Sequence, residues 1–371
     1  QGDSHSIVLM SDGSVRTSGS NECGQLGIDS NSGTSANFSS TSVRGASAVF
    51  AGGNSSGAVA NGILYTWGDN ESGQLHNGSS EDLSYPEKVT NGVVSIALGH
   101  RHSLMLKNNG YISGVGAGAF GELFSSSSSI TASPSYVMGN VSYFSAGRDH
   151  AAAIDNNGNL YTWGNNDKGQ LGLGDYNMRS TPSKVKLDYE ATGVWCGNKV
   201  TIVQTSDSKV YAFGDNSNYL FGMKSRKDIM NTPVENEYLS GNTITKIEFQ
   251  DDFAIAIVGG QVMGWGINSA GRLSTCGSVV KAPEVLYDSM PTVSDIAAGE
   301  NHCLAITSSG EVYGWGSNSA KQLGADTASR IVDVPEIIEI KDSKDNVISV
   351  NEIAADGSHT IIVSGDGTVY A

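Results

Sequence analysis

Concentrated positive charge is the first thing this sequence lacks. Its 22 Lys and Arg stand against 38 Asp and Glu, a net charge of −16, and no basic run or arm occurs. Phosphate backbones are bound through clustered cations, so no nucleic acid is expected as a partner. Long apolar runs are missing too. No stretch approaches the roughly 18 to 20 apolar residues of a membrane helix, which argues against membrane insertion. Cysteine is scarce: Cys23, Cys196, Cys276 and Cys303 lie far apart, without CxxC spacing, so no zinc site is expected. Helical periodicity of useful length is absent. There is no G-x-x-x-x-G-K-[ST] loop, no H-E-x-x-H, and no G-x-S-x-G in a strand–turn–helix setting. "DSNSG" (29–33) lacks the remaining spacing and terminal Glu of a calcium loop. No catalytic residue, cofactor or metal ligand is therefore expected, and the chain is read as a non-enzyme.

What is present is a repeat. "TWGDNESGQLH" (66–76), "TWGNNDKGQLG" (162–172), "GWGINSAGRLS" (264–274) and "GWGSNSAKQLG" (314–324) are one motif. Weaker copies are "TSGSNECGQLG" (17–27), "GVGAGAFGELF" (114–124) and "AFGDNSNYLFG" (212–222). Their first glycines are Gly19, Gly68, Gly116, Gly164, Gly214, Gly266 and Gly316, spaced 48 to 52 residues apart, so one unit of about 50 residues fills the chain.

Two further anchors keep this period. A G-x-x-H element recurs as "GDSH" (2–5), "GHRH" (99–102), "GRDH" (147–150) and "GENH" (299–302), with "DGSH" ending at His359. Degenerate copies put Ser55, Val200 and Phe253 at the His position. Six of the seven prolines (Pro86, Pro134, Pro182, Pro233, Pro283, Pro335) occupy one connecting position. After each G-x-x-H comes a short apolar or alternating run, then a pair such as Asp12-Gly13, Asn61-Gly62 or Asn157-Gly158, and then a second run such as "NLYTWG". Such pairs supply the positive φ of two-residue hairpins, so the unit is antiparallel sheet. Short strands at this period predict an all-β propeller rather than a helical solenoid.

G-x-x-H, a DG-type turn, V/L-Y-x-W-G, G-Q-L-G and P-x-x-V together resemble the regulator-of-chromosome-condensation repeat family, over essentially residues 1–371. The resemblance implies a seven-bladed β-propeller. Counting hairpins complicates this, because seven copies of the W-G motif, four of them with Trp, accompany eight hairpins, the first at His5 and the last at His359. The expectation is one propeller domain over 1–371, of seven repeats plus a terminal hairpin. That hairpin would either overlap the first or form an extra partial blade. The chain is also expected to be a piece of a longer one.

A residue that recurs at one repeat position is distributed around the array, whereas a catalyst or ligand set must converge. His5, His102, His150, His302 and His359 are therefore read as structural, hydrogen-bonded to a neighbouring blade. Trp67, Trp163, Trp265 and Trp315 are read as packing between blades, and Trp195 as core. Cys196 and Cys303 are read as small buried residues, and His76, at the last position of G-Q-L-G, as a solvent-facing loop residue. Five N-x-S/T sequons, at Asn37, Asn54, Asn70, Asn77 and Asn140, are about the number chance gives in a chain rich in Asn and Ser.

The variable positions are the two residues inside G-x-x-H, polar in every copy. The candidate partner-binding face is therefore His100, Arg101, Arg148, Asp149, Asn198, Lys199, Asp251, Asp252, Glu300 and Asn301, basic around repeats 3–5 and acidic in repeats 6–7. The expected function is a non-enzymatic protein-binding or structural propeller with a protein partner. The alternative implied by the resemblance is a guanine-nucleotide exchange factor for a Ran-like small GTPase. Against it, the third repeat carries no wedge-like insertion. A composition rich in Ser, Gly, Asn and Thr and poor in Lys and Arg favours an extracellular, surface or virion setting over the cytoplasm.

Overall fold

The computed structural model describes the chain except residues 1, 3, 31–32, 99–101, 118–129, 225–227, 276, 325–328, 342–343, 345 and 371. The described residues form eight antiparallel sheets, each a propeller blade with its strands paired in sequence order. Blade 1 is His5–Leu9, Val15–Ser20 and Thr34–Ser40. Blade 2 is Ala46–Gly52, Ser55–Ala60, Ile63–Gly68 and Leu83–Asn91, and blade 3 is Val93–Leu98, His102–Lys107, Ile112–Ala117 and Ile130–Met138. Blade 4 is Val141–Ala146, His150–Asp155, Leu160–Gly164 and Arg179–Lys184, and blade 5 is Ala191–Cys196, Val200–Thr205, Val210–Asp215 and Ile229–Glu235. Blade 6 is Ile244–Phe249, Phe253–Val258, Gln261–Ile267 and Val279–Val285, and blade 7 is Val293–Ala298, His302–Thr307, Val312–Ser317 and Ile331–Ile338. Blade 8 is Val350–Asp356, His359–Ser364 and Val369–Tyr370.

Eight blades correct the expectation of seven. The His359 hairpin does not share a sheet with the His5 hairpin, because it brings its own first strand. Val350–Asp356 pairs along its length with His359–Ser364, from Val350 opposite Ser364 to Asp356 opposite His359.

The chain forms two compact units, Gln1–Thr201 and Ile202–Ala371, with the boundary inside the strand Val200–Thr205. In the first unit the core is a series of inter-blade clusters. Val15 of blade 1 and Val43, in the connection to blade 2, pack with Ala58, Ala60 and Trp67 of blade 2. Val59 and Leu64 of blade 2 meet Ile96 and Met105 of blade 3, and Leu104, Ile112 and Val137 of blade 3 meet Ala151, Ala153 and Trp163 of blade 4. In the second unit Phe253, Trp265, Leu304 and Trp315 are fully buried. The second strand of most blades is buried at every residue, as in "HAAAID" and "FAIAIV". Covered on both faces, it cannot alternate apolar and polar residues, and small residues let neighbouring blades approach.

The hairpin turns come in two forms. In blades 2 and 6 the pairs Asn61-Gly62 and Gly259-Gly260 form the expected two-residue loops, all four residues at positive φ. Elsewhere the loop is longer. In blade 4 Asp155 N–H donates to Asn159 and Gly158 N–H donates back to Asp155, with positive φ at Gly158 alone. This is a type I turn closed by a bulge, and it corrects the two-residue reading.

Candidate functional site

In blades 2 and 4 to 8 the G-x-x-H turn joins the first and second strands, and in blade 1 the element leads into the first, so within each unit these turns share one end of successive blades. Gly147 N–H donates to the His150 carbonyl at 2.9 Å and Gly299 N–H to His302 at 2.9 Å, closing each turn. The Gly lies on the imidazole: a Cβ at Gly147 would sit 2.7 Å from His150 Cε1, and one at Gly299 would overlap the His302 ring. No other residue fits there.

Three of the five anchor imidazoles bond across blades, as expected. His5 Nε2 lies 2.7 Å from the Ser56 hydroxyl, His150 Nε2 2.9 Å from Thr201, and His302 Nε2 2.9 Å from Thr360. Ser56 and Thr201 in turn donate to the Gln25 and Gln170 carbonyls at 2.9 and 2.8 Å. A hydroxyl has one proton, so in these two chains the imidazole is the donor at Nε2. Burial pushes His150 down to about 3, with nearby His102 adding to the shift, and burial pushes His302 down to about 4. His102 is buried as well, and His359 is half-buried.

His76 corrects the sequence reading. It is buried rather than solvent-facing, and its Nε2 lies 2.7 Å from Ser103, which donates to the Gln74 carbonyl. Blade 2 has Ser55 where other blades have His, and the loop imidazole of His76 takes over the missing bond to blade 3. Burial, with Lys107 adding to it, pushes His76 down to about 3.

The tryptophans behave as read. Trp67, Trp163, Trp265 and Trp315 are fully buried. Three of them donate Nε1–H to the preceding blade, at Gln25, Leu220 and Arg272 carbonyls, 2.8 to 3.0 Å away. Trp195 is half-buried rather than core. Cys303 is buried and Cys196 half-buried, both as free thiols. Burial pushes Cys196 up to about 12 and raises Cys303, so neither is a thiolate near neutral pH.

The candidate face divides by position within the turn. His100 and Arg101 lie outside the described residues. Arg148, Asp251 and Glu300, first of their pairs, are exposed; Asp149, Lys199, Asp252 and Asn301, second of theirs, are half-buried, and so is Asn198, a first residue. The second position is held by its backbone: the carbonyls of Asp149, Asp252 and Asn301 accept from Asn165, Ile267 and Ser317 at 2.8 Å. In the first unit Gly147 packs on the Gly197 carbonyl of the next blade, so the turn that carries Arg148 neighbours the turn that carries Asn198 and Lys199. In the second unit the structure brings Asp252 and Glu300 together through a residue the sequence reading passed over, Arg272.

Arg272 replaces the Gln of G-Q-L-G in the blade where Phe253 replaces the anchor His. Its guanidinium is buried 4.3 Å from the Phe253 ring centroid, pairs with Asp252 at 2.7 Å, and donates to the Glu300 carbonyl at 2.8 Å. The acidic part of the face is thus partly neutralised from beneath. The coincidence of Arg and Phe in one repeat was the available signal. Also passed over were the buried asparagines after W-G-x. Asn70, Asn166 and Asn318 accept from Leu75, Leu171 and Leu323 N–H at 2.9 to 3.0 Å and donate to loop carbonyls. They hold the loop that offers its carbonyls to the next blade.

Among the described residues no group of three or more His, Cys, Asp and Glu is placed to hold a metal ion. Among the described residues no helix is long and apolar enough to cross a membrane.

Comparison with known proteins agrees with this geometry. The RCC1-like domain family matches residues 1–287, and the regulator of chromosome condensation (RCC1) repeat matches 293–322 and 309–363. The probable E3 ubiquitin-protein ligase HERC3 of Homo sapiens is 29% identical over 190 residues, 48% of this chain but only 17% of that protein's length. The structure of human WBSCR16 superposes with a TM-score of 0.73 at 18% identity, covering 95% of this chain and 99% of that one. Prp20p of Saccharomyces cerevisiae, studied for its binding to Gsp1p and histones, gives a TM-score of 0.59 at 18% identity, covering 97% of this chain and 80% of that one.

Proposed function

The chain belongs to the RCC1-like repeat family, and on that footing we propose that it is a non-enzymatic protein-binding propeller that recognises its partner through the first residues of the G-x-x-H turns. One observation carries this reading. Recurring polar side chains such as His5, His150 and His302 and Asn70, Asn166 and Asn318 are buried and bonded within the scaffold, whereas Arg148, Asp251 and Glu300 vary from blade to blade and are exposed. Interfaces draw specificity from such charges set on a rigid frame. The test is charge reversal at Arg148, Asp251 and Glu300, followed by quantitative capture of partners from the source material. Loss of specific partners from the triple variant supports the reading, and an unchanged set overturns it.

A second reading is nucleotide exchange on a Ran-like GTPase, favoured by the likeness to Prp20p. Release of labelled GDP from such a GTPase separates the two. No acceleration supports the binding module, and catalytic acceleration supports exchange. The E3 ligase relative is much longer than the matched stretch, and its activity is not carried over.

A further inference from the structure

We propose that the groove between blades 2 and 3 is a second binding site, for an extended segment of a partner protein that sets a carboxylate beside an aliphatic or aromatic side chain. The groove has a volume of about 500 Å³, within the range of ligand-binding clefts. It runs from the His76 loop along the end of the Leu83–Asn91 strand to the Asn109-Gly110 turn. At that turn it is at the end of blade 3 opposite the G-x-x-H turn, so it is not part of the face proposed above.

Its walls combine an apolar floor with polar groups that the fold leaves unused. Val89, Met105 and Ile112 form the floor. Tyr111 and Tyr136 stand at one end, edge to face with centroids 5.6 Å apart, 47% and 63% exposed. Rings this exposed leave the groove continuous with open surface, which suits a segment that passes through it rather than a small enclosed ligand. Ser113, opposite Met105 and Tyr136 in its sheet, has a buried hydroxyl with no partner. His76 Nδ1 is likewise buried and unpartnered, and as Nε2 donates to Ser103, Nδ1 is an acceptor. Unused buried polar groups in a native fold call for a reason, and a ligand is one.

Charge selects the occupant. Lys107 lines the groove, and its ammonium donates to Thr90 at 3.0 Å. Among the described residues no carboxylate lies within ion-pair distance of it. In a chain of net charge −16 that is an unmatched cation. Glu87, the nearby acid, is occupied by Asn77 at 2.9 Å. A partner carboxylate at Lys107, with an adjoining apolar side chain against the tyrosines, would satisfy both.

The test is selection of a random dodecapeptide phage library on the whole chain, followed by anisotropy titration of the selected peptides. The expected result is enrichment of Asp or Glu next to an apolar residue. Affinity should fall at least tenfold in Lys107→Glu and in Tyr136→Ala and stay unchanged in Arg148→Glu. Should Lys107→Glu fail to fold by thermal unfolding, Lys107→Met replaces it. The proposal is overturned by no enrichment, by enrichment of basic peptides, or by binding indifferent to Lys107. It also fails if 3-phenylpropionate binds as tightly as the peptides, which would make the ligand a small acid. Peptide binding lost in Arg148→Glu alone would transfer the site to the G-x-x-H turns.

Discussion

The Thr201 hydroxyl stands between His150 Nε2 at 2.9 Å and the Gln170 carbonyl at 2.8 Å, joining blade 4 to the second strand of blade 5. Thr201 is fully buried, as is His150. Thr201→Val keeps shape but leaves the imidazole N–H and the carbonyl without a partner. It is expected to cost about 1–3 kcal/mol, the penalty for unsatisfied buried polar groups. Thr201→Ser, which keeps the hydroxyl, should cost less. Urea denaturation of both variants checks the order, and equal losses would show that packing rather than the bond matters.

Acid should weaken the scaffold before its carboxylates titrate. His76 and His150 are held down at about 3 and His302 at about 4, against an ordinary value of 6.5. The folded state therefore resists protonation that the unfolded state accepts. Stability from this source is complete above pH 6.5 and falls as pH drops from there toward 3 to 4. The melting temperature is expected to be level between pH 7 and 8 and to decline between pH 6.5 and 4. In a His150→Phe/His302→Phe variant that decline should be shallower, and an unaltered slope would assign it to other groups.

Gly299→Ala adds only a methyl group, but it would overlap the His302 ring. The expected loss is about 1–3 kcal/mol, in the range of overpacking penalties. Gly277→Ala is the control, since its nearest contacts would be the Val279 carbonyl at 3.6 Å and N–H at 3.9 Å. Comparison of their denaturation midpoints decides whether the G of G-x-x-H is there for the imidazole.

Most of the scaffold was legible because repetition multiplies weak signals. Four tryptophans and five histidines at one spacing identified inter-blade residues, and the structure places Trp67, Trp265 and Trp315 in that role with His5, His150 and His302. The blade count was not legible, because seven copies of the W-G motif with eight hairpins fit two arrangements. Pairing of Val350–Asp356 with His359–Ser364 decides between them. Arg272 was hidden because reading down a repeat column treats Arg for Gln as drift. Its meaning lies in Phe253 and Asp252, about 20 positions away in sequence. Of the candidate face, exposure of Arg148, Asp251 and Glu300 was legible from their variability. The burial of their neighbours was not, since backbone carbonyls rather than side chains impose it.

His76 gives the sharpest separation between the two kinds of reading. By repeat consensus His76→Gly repairs a G-Q-L-G loop, and its φ of 61° is one that glycine adopts without strain. Relief of that strain is worth about 1–2 kcal/mol. Against it stand the loss of a buried imidazole and of its bond to Ser103, which leave a cavity between blades 2 and 3. The cavity and the lost bond should together exceed the relief, so His76→Gly is expected to lower stability by about 1–2 kcal/mol net. Adding Ser55→His returns an imidazole to the anchor position that blades 1, 4 and 7 use, and should recover part of the loss. Thermal unfolding of the single and double variants measures both steps. A single variant as stable as the parent would mean that Ser103 needs only the Gln74 carbonyl, and that His76 is a passenger in its loop.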